Sequence, residues 1–182
     1  MAAVLDAATD LFGRQGPVAT SVRDLAKAAG VNHALIFRHF GSKEGLLRSV
    51  MDRQVQIVVP RAREITSTRD DLYHLARACR TESRYAWLIG RAVLDGYDPG
   101  SFRSSFPVVG HLRQVLRREV AEGGASSSRV LDPDHALAGV LALALGSVIF
   151  ERYLRAATGL DDSVDFDAVV ADCGQALFDL AR

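Results

Sequence analysis

Cysteine is nearly absent from this chain, with Cys79 and Cys173 the only two among 182 residues. Neither has a partner at metal-ligand or redox spacing, so both read as buried free thiols. An excess of either charge is also missing, since 22 basic residues balance 22 acidic ones. A basic field over the whole protein is thereby excluded, and any surface for nucleic acid must be local. Long apolar runs are lacking too. The longest, residues 136–150, falls short of a bilayer and is closed by His135 and Glu151. The N-terminus carries no basic leader, apolar stretch and cleavage site, so no signal peptide is expected. These absences together predict a cytoplasmic protein without a membrane partner.

Catalytic signatures are equally scarce. The chain has no glycine-rich phosphate loop, no nucleophile elbow and no Cys/His metal spacing. The adjacent carboxylates Asp70-Asp71 and Asp161-Asp162 do not face one another if helical, and His74, His111 and His135 are scattered. The expectation is no enzyme, no metal and no cofactor.

Helical periodicity is abundant, and no alternation is long enough for a sheet. Val4, Leu5, Ala8, Leu11 and Phe12 define one face of a first helix, ended by Gly13, Gly16 and Pro17. Thr20 or Ser21 then caps a second helix with Val22, Leu25, Ala26 and Ala29 inward, and Gly30 suits a left-handed stop. Asn32 caps a third helix that turns Ile36 and Phe40 inward, and Gly41 ends it. Ser42 opens a fourth, carrying Leu46, Leu47, Val50 and Met51 to about residue 59, where Pro60 ends or kinks it. Longer helices are predicted over 70–94, 107–122, 133–158 and 165–180, with loops at 95–105 and 123–132.

Two short helices about a tight turn form a helix-turn-helix, whose second helix can enter a major groove. That helix presents His33, Ala34, Phe37 and Arg38: donors for base edges, a small group and apolar surface for thymine methyls. Asn32 stands at its start. A ring suited to phosphates surrounds it, formed by Thr20, Ser21, Arg23, His39 and Lys43. Spacing alone leaves Phe37 open to a core reading, His39 to a solvent-facing or core one, and Lys43 to a solvated pair with Glu44. Up to Arg53 the chain has seven basic and five acidic residues, a mild local excess of the right sign.

The runs A-T-S-V-R-D-L-A-K-A-A-G-V and F-R-H-F-G-S-K-E-G-L-L resemble the DNA-binding domain of TetR-family transcriptional regulators. The resemblance implies an all-α protein: a three-helix DNA-binding domain at 1–47, then a larger helical ligand-binding and dimerisation domain at 48–182. It implies double-stranded DNA as partner, with residues 32–38 in the groove and Thr20, Ser21, Arg23, His39 and Lys43 on phosphates. Ala34, Leu35 and Phe37 stand where the family commonly has Gly, Thr and Tyr. Each hydroxyl lost at Leu35 and Phe37 would flatten the salt dependence of binding by about 0.9 in log–log slope.

The helices over 133–158 and 165–180 combine small residues with apolar stripes and suit close helix packing, either against a second copy or as core within one chain. The expected dimer positions are Ala138, Leu141, Ala142, Leu145, Val148, Val169, Cys173 and Leu177, which in the family's manner would form a four-helix interface. The resemblance further implies a pocket for a small-molecule effector. Its candidate lining is Tyr85, Trp87, Leu88, Phe102, Phe106, His111, Phe150 and Tyr153, large side chains whose helical spacing suits ordinary core as well. The resulting expectation is a homodimeric repressor of a palindromic operator, released by its ligand. The alternative is a DNA-binding adaptor whose larger half holds a protein partner.

Overall fold

The computed structural model describes residues 1–63, 69–102, 106–122 and 130–181, without the side chains of residues 61, 62, 101 and 102. Ten helices account for most of the described residues: α1 (Ala2–Gln15), α2 (Val22–Ala29), α3 (His33–Phe40), α4 (Lys43–Ala62), α5 (Arg69–Thr81), α6 (Ser83–Leu94), α7 (Pro99–Phe102), α8 (Pro107–Glu122), α9 (Pro133–Thr158) and α10 (Phe166–Ala181). They form two compact units. One holds Met1–Ile57 with Ser83–Ser105, the other Val58–Glu82 with Phe106–Arg182. The first unit thus takes in α6 in addition to the helices of the expected DNA-binding domain.

The first unit is built on the predicted stripes. Val4, Ala8 and Phe12 of α1, Leu25 of α2, Ile36 of α3 and Leu46, Leu47, Val50 and Met51 of α4 make one buried cluster, joined by Leu88 and Ala92 of α6. Burying a Leu, Val or Phe side chain contributes about 1.5–3 kcal/mol each. Helices of eight residues such as α2 and α3 are too short to hold in water alone, so this shared core is what forms them.

Pro60 stops α4 less abruptly than its chemistry suggests. The helix runs on to Ala62, and the Arg63 amide still donates to the Val59 carbonyl. The predicted helix over 70–94 is two helices. The Thr81 hydroxyl donates back to the Arg77 carbonyl, a bond that weakens the helix where α5 gives way to α6. The one-turn α7 lies within the predicted loop 95–105.

In the second unit Leu72, Leu75, Leu112, Leu116, Leu137, Val140, Ala171 and Phe178 form the main core. Beside it, charged groups tie α5, α9 and α10 together. Arg80 pairs with Glu151 and, at 2.8 Å, with Asp167. Arg155 pairs with Glu151 at 2.8 Å, donates to the carbonyls of Asp161 and Val164, and lies 5.0 Å from the Phe166 ring centroid. With 26 residues and a mean hydropathy of 1.6 over its most apolar stretch, α9 is long and apolar enough to cross a membrane. Its bounds are those predicted from the sequence, and the apolar run 136–150 lies inside it. In the folded unit α9 packs on α10, α5 and α8. Cys79 is half-buried, with its thiol raised to about 11 chiefly by burial, whereas Cys173 is exposed, against expectation.

Candidate nucleic-acid interface

The reading head is set by its caps. Ser21 accepts a hydrogen bond from the Asp24 amide at 3.1 Å while the Asp24 carboxylate accepts one from the Ser21 amide, a reciprocal box that starts α2. The Ser21 hydroxyl also donates to that carboxylate at 2.6 Å. These bonds from Ser21, side chain first, hold the Asp24 carboxyl below its usual range. Gly30 ends α2 in the left-handed region at φ 65°, where a side chain would be strained, and the Val31 amide returns to the Ala26 carbonyl. Asn32 then opens α3, its side-chain oxygen accepting from the Ala34 amide at 2.9 Å.

This geometry leaves one face of α3 uncovered. Ile36 is buried and Phe40 partly so, while His33, Ala34, Phe37, Arg38 and His39 are exposed. Phe37 is 47% exposed, which settles the choice between core and groove in favour of the surface. Positions 33, 34, 37 and 38 fall on one stripe of the helix, a spacing that lets all four meet the same groove.

The surrounding ring needs one correction. Thr20 is fully buried: its hydroxyl donates to the Gly16 carbonyl at 2.8 Å and accepts from Gln15 at 3.2 Å. Its side chain therefore fastens the α1–α2 connection and is not free for a phosphate. Ser21 is exposed, but its hydroxyl proton goes to Asp24, so its end of α2 offers an anion the first-turn amides of Val22 and Arg23, which have no acceptor within the helix. Arg23 is exposed beside them. Lys43 is half-buried, and its Nζ donates to the Thr20 carbonyl at 3.4 Å, bringing the start of α4 beside the start of α2.

Two residues that hold this surface were not anticipated. A Cβ at Gly45 would overlap the Phe40 carbonyl, so only glycine lets α4 leave α3 so closely. Asp95, 77 residues along the chain from Val18, accepts its amide at 2.7 Å and anchors the connection before α2. The G-S-K-E-G-L-L run contains a signal for Gly45. No local pattern points to Asp95.

The expected pocket residues divide between the two units. Leu88 is wholly buried in the first unit's core with Tyr85 packed against it, and Trp87 lines a groove elsewhere in that unit. Phe106 is exposed and His111 half-buried in the second unit, while Phe150 and Tyr153 are 54% and 71% exposed on α9. The Phe102 side chain lies outside the described residues. Helical spacing marks a side chain as large and apolar but carries no information about which elements meet.

A family profile, "Bacterial regulatory proteins, tetR family", matches residues 4–50. The chain is 38% identical over 162 residues to the HTH-type transcriptional repressor Rv3405c of Mycobacterium tuberculosis, covering 88% of this chain and 78% of that protein. Its fold is similar to that of the TetR-family regulator PfmR of Thermus thermophilus, with a TM-score of 0.65, 23% identity and 97% of each chain covered. It is also similar to that of Bacillus subtilis FadR in complex with stearoyl-CoA, with a TM-score of 0.66, 15% identity and coverage of 97% and 96%. With the capped helix pair, its exposed stripe and a relative of this extent, the chain belongs to the tetR family of bacterial regulatory proteins, which bind DNA to control transcription and are not enzymes.

Proposed function

We propose that the protein is a repressor that binds a palindromic operator as a homodimer in the bacterial cytoplasm and is released by a small-molecule effector. The observation that carries the DNA-reading part is the uncovered stripe of α3, where Phe37 stands exposed among His33, Ala34 and Arg38. In this reading Phe37 packs against thymine methyls, and His33 and Arg38 meet base edges or the phosphates flanking them. Arg23, His39, Lys43 and the open amides of α2 hold the backbone.

The second unit supports the dimer. A groove of about 650 Å³ runs between α9 and α10, lined by Gly139, Ala142, Leu143, Val169, Cys173 and Leu177 among others. All eight expected interface positions remain half-buried or exposed in the single chain, an apolar face that a second copy would cover. The effector reading draws on the repressor relative and on the stearoyl-CoA complex of a protein with a similar fold. α4 begins in one unit and ends in the other, so a ligand that biases its position would alter DNA affinity through a coupling free energy.

Selection of bound duplexes from a random pool, with light scattering of the free protein, tests the reading. An inverted repeat with half-sites about one DNA turn apart and a dimeric mass are expected. A single unrepeated element would reject the dimer, and absence of enrichment would reject sequence-specific reading.

A further inference from the structure

Within the first unit, away from the reading face of α3, a groove of about 330 Å³ lies between α1 and α6. Its walls bring together Arg14 and Asp10 of α1 with Ser83, Arg84, Trp87 and Arg91 of α6. Three guanidinium groups against one carboxylate give it a positive balance in a chain whose net charge is zero. Asp10 is already taken by Arg14 at 2.8 Å. Arg84 forms no ion pair among the described residues. Arg91 lies with its guanidinium carbon 5.9 Å from the Trp87 ring centroid, and its buried Nε finds no hydrogen-bond acceptor. A buried donor without a partner costs about 1–3 kcal/mol, so a site that keeps one has an acceptor to gain.

We propose that this groove is a binding site for a small organic anion with a flat apolar body, whose phosphate or carboxylate is held by Arg84 and Arg91. The chemistry is complementary in both parts. Planar guanidinium forks pair with carboxylate and phosphate oxygens through charge-assisted hydrogen bonds, and the indole of Trp87 supplies a wall for an apolar ring. The volume fits a metabolite-sized molecule and is too small for a macromolecule. The anion would also join α6 to Arg14 of α1, the helix whose Val4, Ala8 and Phe12 support the reading head. The proposal rests on the first unit alone and does not depend on how the protein dimerises.

Trp87 is the only tryptophan in the chain, so intrinsic fluorescence reports on this groove directly. The full-length protein titrated with phenyl phosphate should show a saturable change in Trp87 emission, competed by inorganic phosphate, whereas phenol should produce none. Arg84→Ala, on an exposed site, should weaken phenyl phosphate binding about tenfold or more while leaving helix content unchanged. Arg91→Lys keeps the charge but removes the fork and should weaken it as well. An equal response to phenol, or undiminished affinity in Arg84→Ala with native helix content, overturns the proposal.

Discussion

The two units solve the same problem, holding helices together, by opposite means. The first frames two short helices with specific caps and glycines at fixed points, so that eight-residue α2 and α3 depend on a shared core and on Ser21, Asn32, Gly30 and Gly45. The second uses long helices and side-chain ties, with Arg80, Glu151, Arg155 and Asp167 linking α5, α9 and α10. A short, punctuated unit fixes the direction of one helix face closely, as base reading requires. A unit of long helices instead leaves a continuous apolar face. The first should therefore fail by losing geometry, and the second by losing association.

Core truncation gives the largest expected effects and tests whether the units fail differently. Phe12→Ala and Phe178→Ala each remove a fully buried ring and should each cost about 3–5 kcal/mol in denaturant unfolding. Phe12→Ala should abolish DNA binding at concentrations where the dimer persists, whereas Phe178→Ala should raise the dimer dissociation constant first. Identical loss of both properties in both variants would dissolve the contrast between the units.

A glycine pair sharpens the comparison at smaller cost. Gly45→Ala forces the start of α4 away from Phe40 and should destabilise by about 2 kcal/mol, with DNA affinity falling further than stability alone explains. At Gly146, in α9, an added Cβ meets nothing within 4 Å. Gly146→Ala should thus stabilise the helix by up to about 1 kcal/mol while weakening dimerisation, because the open space is what a second copy would enter. Denaturant unfolding of dilute protein and sedimentation of the same sample separate the two effects. A stabilised protein with unchanged association would remove Gly146 from the interface.

How much was legible follows the same division. The stripe Val4, Ala8, Phe12 and the caps at Ser21 and Asn32 are written locally, in residue type and spacing, and α1 to α4 follow from them. Phe37 was ambiguous because periodicity places it at the edge of its helix, and only three-dimensional packing decides an edge. Thr20 was misplaced for a related reason: adjacent Thr and Ser both suit a cap, and the structure uses Ser21 while burying Thr20. Asp95 and the Arg14–Arg84–Arg91 groove join residues tens of positions apart, which no local pattern encodes. The expected pocket residues were equally beyond local reading, since spacing marks an aromatic side chain without saying which elements meet around it.

Lys43→Ala and His33→Ala divide the reading face into positioning and specifying groups. Lys43→Ala should weaken binding to all duplexes alike and lower the magnitude of the salt slope by about 0.9. His33→Ala should shift base preference at one position in each half-site. An unchanged slope would remove Lys43 from the phosphate contacts, and equal loss on selected and random duplexes would deny His33 a base.

The smallest effect concerns the cap of α2. Ser21 hydrogen bonds lower the folded-state pKa of Asp24 from its ordinary value, and Lys27 adds to this. A carboxyl depressed on folding contributes stability that is fully present above its unfolded value and is lost as pH falls through the folded one. The window therefore lies in the acid range, below the ordinary aspartate value, and neutral pH should leave the head unaffected. Ser21→Ala removes the hydroxyl that lowers the pKa and should shift acid unfolding of the head to higher pH. Asp24→Asn, which abolishes the titration, should flatten that part of the profile. The Asp24 resonance followed by NMR against pH reports the site directly, and an unshifted titration in Ser21→Ala would show that the cap does not tune the carboxylate.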